Sequence, residues 1–142
     1  MELPTYFDGV IELLTHYINE RADHFTLQTY GGGYQFGPYV QALQEHDGIL
    51  LIEATSNQFL EPPGSTLDHE VMLFLGWRLY PEHYLPNYSQ FIDQSQVSAK
   101  EIAIKLARTL HYGYGVDDSY RFEIAPKLPN LGEATRNLEI IN

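Results

Sequence analysis

The sequence predicts an α+β fold, an antiparallel sheet packed by helices in the order α-β-β-β-α-α-β. Three observations carry the fold class. Residues 5–21 place apolar side chains at helical spacing. Residues 24–55 hold three strand-like runs joined by short turns. Ser98 and Glu101 open a further amphipathic helix. Helices laid on one face of a three-stranded meander make a layered domain.

In the first helix Phe7, Val10, Ile11, Leu14, Ile18 and Ala22 share a face, with Glu12, His16, Asn19 and Glu20 largely opposite. Thr5 with Asp8 is the expected cap, and an acidic first turn suits the helix dipole. The next run, His24 to Tyr30, alternates Phe25, Leu27 and Thr29 against Thr26 and Gln28, as a half-buried strand does. The second strand begins near Pro38 and runs to Leu43. Asp47-Gly48 signals a hairpin turn. The third strand, Ile49 to Thr55, is apolar on both faces until Glu53, which predicts a central strand covered on both sides.

Ser65 with Asp68 is a second capping pair, and Leu67, Val71, Phe74 and Leu75 outline a short helix ended by Gly76. Residues 77–92 hold Trp77, Tyr80, Tyr84, Tyr88 and Phe91 with Pro81 and Pro86 among them, which argues against a continuous helix. In the third helix Ile102, Ala103, Leu106, Ala107 and Leu110 form the apolar face, Glu101 and Lys105 are an i,i+4 pair, and Gly113 and Gly115 stop it. Tyr120, Phe122 and Ile124 alternate as a last strand. Residues 1–126 read as one domain and 127–142 as a polar tail in which Leu138, Ile140 and Ile141 are docking candidates.

The 142 residues carry 8 Lys+Arg against 19 Asp+Glu, a net charge of -11, which disfavours nucleic acid and anionic membrane surfaces as partners. The absence of cysteine excludes disulfides, thiolate nucleophiles and cysteine zinc sites. With no apolar run of membrane length and no signal-like start, a soluble cytoplasmic protein is expected.

No catalytic, metal or cofactor signature emerges. Gly31 to Gly37 contains no Lys or Arg and precedes a strand, so it reads as a hairpin connection and not a phosphate loop. Glu12, His16 and Glu20 stand one turn apart, as metal ligands or as ordinary surface patterning. Asp68-His69-Glu70 diverge around a helix and do not converge on an ion. Glu53, after four apolar residues, is a candidate general acid or base, or a strand-end residue that reaches solvent. Lys100, Lys105, Arg108 and His111 concentrate positive charge on the third helix, in keeping with its dipole. The aromatic segment from Trp77 to Phe91 is the best candidate interaction surface, with a lid over the core as the alternative.

The ordered set Pro38-Tyr39-Val40-Gln41, Ile52-Glu53-Ala54-Thr55-Ser56-Asn57-Gln58-Phe59-Leu60, Leu73-Phe74-Leu75-Gly76-Trp77, Pro86-Asn87-Tyr88 and Phe91 resembles the TY-Chap domains. These are bacterial domains related to type III secretion chaperones and YbjN proteins. The resemblance covers about residues 37–91. It implies a chaperone-like domain that binds peptides or protein segments, often as a dimer, with no enzymatic activity and no catalytic residues to carry over. Secretion chaperones have two further strands between the second and third helices, where this chain has its proline-broken aromatic segment.

The leading expectation is therefore a non-enzymatic module that takes a client segment at a sheet edge or in an aromatic groove. The candidate contacts are Tyr39, Phe59, Trp77, Tyr84, Tyr88 and Phe91. The alternatives are a small hydrolase or metal-dependent enzyme using Glu53 and His69, and a structural homodimer whose aromatic face is its interface.

Overall fold

The computed structural model of the chain describes residues 1–31, 36–56, 67–80, 85–128 and 139–140. A single 3-10 turn, Thr5–Phe7, leads into α1 (Asp8–Asn19). The expected Thr5–Asp8 cap does not form. The Phe7 N–H instead donates to the Pro4 carbonyl at 3.1 Å, so the tight turn satisfies that group without a side chain. α1 buries Val10, Leu13, Leu14, Tyr17 and Ile18, a broader face than the sequence reading, which left out Leu13 and Tyr17.

Strands β1 (His24–Tyr30), β2 (Tyr39–Gln44) and β3 (Ile49–Ala54) form the expected antiparallel meander. Between β2 and β3, Asp47 and Gly48 both take positive φ, 59° and 76°, the geometry of a type I′ turn. Its twist matches that of the flanking strands and sets Leu43 opposite Leu51.

α2 is short, His69–Phe74, and the Asp68 carboxylate caps it by accepting from the Val71 N–H at 3.2 Å. Its buried residue is Met72, whereas Phe74 is 77% exposed, so the inward face differs from the one predicted. Gly76, at φ 94°, redirects the chain after it.

The aromatic segment contains two strands the sequence reading did not expect, β4 (Arg78–Tyr80) and β5 (Leu85–Asp93). Pro86 is compatible with β5 because it precedes the ladder with β3, whose first pair is Ala54–Tyr88. It also lies beside the register shift between Leu79 and Tyr80 on β4, where regular pairing is already interrupted. The observed order therefore inserts two strands between the second and third helices.

α3 (Ala99–Arg108) opens with the predicted capping box: the Glu101 N–H donates to Ser98 Oγ at 3.1 Å, and the Ser98 N–H to Glu101 Oε1 at 3.4 Å. It buries Ile102, Ala103, Leu106 and Ala107. A π-helical turn, Thr109–Gly113, follows, and Gly115 at φ 76° ends the segment. β6 (Arg121–Ala125) pairs antiparallel with β1, and β7 (Glu139–Ile140) pairs parallel with β6, setting Ile140 opposite Ile124.

The sheet runs β4-β5-β3-β2-β1-β6-β7, six strands antiparallel and the seventh parallel. α1 and α3 pack on each other and on one face of it. One continuous core joins Phe7 and Leu14 of the first helical segment, Leu27 of β1, Ile52 of β3, Leu106 of α3 and Ile124 of β6. β3 is central as expected, but no described helix covers its second face, a correction to the reading of two covered faces. Among the described residues no helix is long and apolar enough to cross a membrane.

Candidate functional site

Strand alternation sorts the aromatic segment into two populations. Residues of β5 that share a face with Tyr88 look toward the helices, and those that share a face with Phe91 look away. Trp77 and Tyr88 belong to the interior. Trp77 is 0% exposed, and its indole N–H donates to Thr109 Oγ1 at 2.9 Å. Tyr88 is buried in the core, with its hydroxyl bonded to His69 Nδ1. Neither ring is presented to solvent, so both are corrected here from contact candidates to core residues. Phe59 and Tyr84 lie outside the described residues.

Phe91 and Tyr39 are on the face that is helix-free among the described residues. Phe91 is 57% exposed, and the ladder sets it opposite Leu51, which is opposite Leu43. Leu43 is 41% exposed, so the two flanking side chains form the rim of an apolar row with Leu51 at its centre. The sequence reading missed Leu43 and Leu51. The signal available was parity: once Ala42 faces the core, Leu43 must face away.

The next row along the strands is polar. Glu53 stands between Gln41 and Ser89. Gln41 Nε2 donates to Glu53 Oε1 at 3.2 Å, and Thr26 Oγ1 donates to Gln41 Oε1 at 3.3 Å. Beyond it comes a row of hydroxyl and amide groups. The Tyr39 N–H donates to Thr55 Oγ1 at 2.8 Å, and Asn87 Nδ2 donates to the Tyr39 hydroxyl at 3.0 Å. Asn87 Oδ1 accepts from the Ser56 N–H at 3.3 Å, while the buried Ser56 Oγ has no hydrogen-bond partner among the described residues. At the opposite end of the face Asp93 accepts from the Ser95 N–H at 2.9 Å and from its hydroxyl at 2.7 Å. Those two bonds hold the Asp93 carboxyl below the usual range and keep it ionised.

Glu53 and His69 are separated by the sheet itself. Glu53 is on the helix-free face, whereas His69 bonds to Tyr88 on the other side. They do not form one site. Near His69 the Tyr114 hydroxyl donates to the Thr55 carbonyl. Burial, and next the neighbouring Tyr88 and Tyr39, push the Tyr114 phenol well above its ordinary value.

Among the described residues no group of three or more His, Cys, Asp or Glu is placed to hold a metal ion. The predicted Glu101–Lys105 pair gives way to another contact: Lys105 turns inward and donates to Gln90 Oε1 at 2.8 Å. Burial lowers the Lys105 pKa. His111 Nδ1 contacts the Val116 carbonyl at 2.9 Å, so these residues of the third helical segment do not form one cationic surface. The Gly31 to Gly37 run joins β1 to its antiparallel neighbour β2, as a hairpin connection does, with residues 32–35 outside the described set.

In comparisons with known proteins, no family model, no curated protein and no solved structure matches this chain.

Proposed function

We propose that the chain is a non-enzymatic, chaperone-like module that binds a peptide or protein segment on the helix-free face of its sheet. The observation that carries the reading is the Leu43–Leu51–Phe91 row, which leaves two large apolar side chains about half exposed on a protein of net charge -11. Contiguous exposed apolar side chains with a polar surround mark interaction surfaces. Support also comes from β4 and β5, absent from the expected order α-β-β-β-α-α-β, which stand where secretion chaperones carry two further strands. The acidic surface favours clients with basic segments and steers them in. A cysteine-free chain suits the cytoplasm, where we place this activity.

The test uses reduced, unfolded lysozyme, a basic client, diluted into buffer with the protein, and follows turbidity. The natural chain is expected to keep the client in solution. The double variant Leu43→Ser/Phe91→Ser is expected to lose that effect with its own unfolding transition retained. Leu79→Ser, which alters an exposed residue elsewhere, is expected to behave as the natural chain. Equal protection by all three forms overturns the reading. A dimer seen by light scattering that dissociates in the double variant, with no protection by either form, supports the homodimer alternative instead.

A further inference from the structure

The helix-free face carries three kinds of chemistry in consecutive rows. Leu43, Leu51 and Phe91 are apolar; Glu53 supplies a carboxylate; Tyr39 and Asn87 supply hydroxyl and amide groups. Glu53, Leu51 and Thr55 alternate on β3, so the rows are two residues apart, about 6.8 Å at each step. An extended segment laid along β3 has the same repeat, because its side chains at i, i+2 and i+4 point the same way.

We infer that this face reads a client in register: an apolar residue against Leu43 and Phe91, over the buried Leu51, a Lys or Arg two positions on at Glu53, and a hydrogen-bond acceptor two further on at the Tyr39 hydroxyl. The inference rests on the function proposed above and specifies its partner.

Each point has unspent capacity. Phe91 and Leu43 are open to solvent. Glu53 takes its one described hydrogen bond at Oε1, from Gln41, which leaves Oε2 for a cation. The Tyr39 oxygen accepts from Asn87, and its own O–H is uncommitted among the described residues. That O–H suits a carbonyl or carboxylate oxygen, as in Asn, Gln or Asp. The cation is selected by charge complementarity, since Glu53 sits in an overall field of -11. The rows are held rigidly by the ladder, so spacing as well as composition is discriminated.

The test compares two fluorescently labelled synthetic decapeptides of identical composition. One contains Leu-Ser-Lys-Ser-Asn and the other Leu-Lys-Ser-Ser-Asn, and binding is read by anisotropy. The in-register peptide is expected to bind about tenfold tighter, as one well-made contact allows. Glu53→Gln is expected to erase that preference, and Glu53→Lys to transfer it to a peptide carrying Glu in place of Lys. Equal affinity for both peptides, lost in Phe91→Ser, overturns the register and leaves the open-face reading standing. Failure of both to bind, or binding unaffected by Phe91→Ser, overturns both.

Discussion

Trp77 Nε1 lies 2.9 Å from Thr109 Oγ1, with both residues fully buried, so the one tryptophan of the chain pins the start of β4 to the π-helical turn after α3. Thr109 passes the bond on by donating to the Lys105 carbonyl at 2.8 Å. Trp77→Ala is expected to cost about 3–5 kcal/mol through lost burial and a cavity. Thr109→Val, which keeps the shape but strands the indole N–H, is expected to cost about 1–3 kcal/mol. Urea unfolding followed by circular dichroism checks both.

Tyr114 makes the alkaline limb of stability predictable. Its phenol is raised well above the ordinary value by burial and by the neighbouring Tyr88 and Tyr39. The folded state therefore keeps a proton that the unfolded chain releases near pH 10. Its contribution is complete below the unfolded pKa and is lost as pH rises above it. Tyr88 and Tyr17, both raised chiefly by burial, act in the same direction. Tyr114→Phe is expected to lower stability at pH 7 by about 1 kcal/mol, through the bond lost to the Thr55 carbonyl, and to flatten the decline above about pH 10. Melting temperatures from pH 7 to 11 decide it, and a slope unchanged by the substitution contradicts the assignment.

At the β2–β3 turn, Gly48 has φ 76° and no atom near the place of a Cβ. Gly48→Ala meets backbone strain without a clash, so a loss of about 1–2 kcal/mol is expected. Asp47→Asn, in a turn that favours Asn-Gly, is expected to be neutral or slightly stabilising. Chemical denaturation of the two variants separates them. Equal losses point to a side-chain role for Asp47 in place of turn geometry.

Ser56 Oγ is buried with no hydrogen-bond partner among the described residues. Removing an unpaired hydroxyl relieves desolvation without breaking a bond. Ser56→Ala is therefore expected to keep stability or raise it by up to about 1 kcal/mol. A loss beyond about 1 kcal/mol, measured in urea, means that the hydroxyl has a partner in solution.

Phe91 illustrates how much of the candidate site was legible before folding. Its apolar, aromatic character and its membership of an interaction segment were readable, but Trp77 and Tyr88, grouped with it, face the opposite way. Parity within a strand separates them, and parity was unreadable because Pro81 and Pro86 argued only against a continuous helix and no strand was assigned to the segment. Leu43 was legible as a strand residue but not as the partner of Phe91, because β5 reaches it only across β3. Lys105 shows the same limit on a helix: its spacing from Glu101 is local information, whereas Gln90, the contact it makes, comes from a distant strand.

By itself the sequence determined what is set by neighbours along the chain. That includes the ends of β1, the Asp47-Gly48 turn, the capping box of α3, the acidic charge and the α+β class. Backbone φ preferences, side-chain periodicity and cap bonds act over a few residues, so they are complete before any long-range contact forms. Only the tertiary structure decided that β4 and β5 exist, that β5 lies against β3, and that one sheet face stays clear of the described helices. Sheet pairing joins residues remote in sequence, and which aromatic ring becomes core depends on the face that pairing assigns to it.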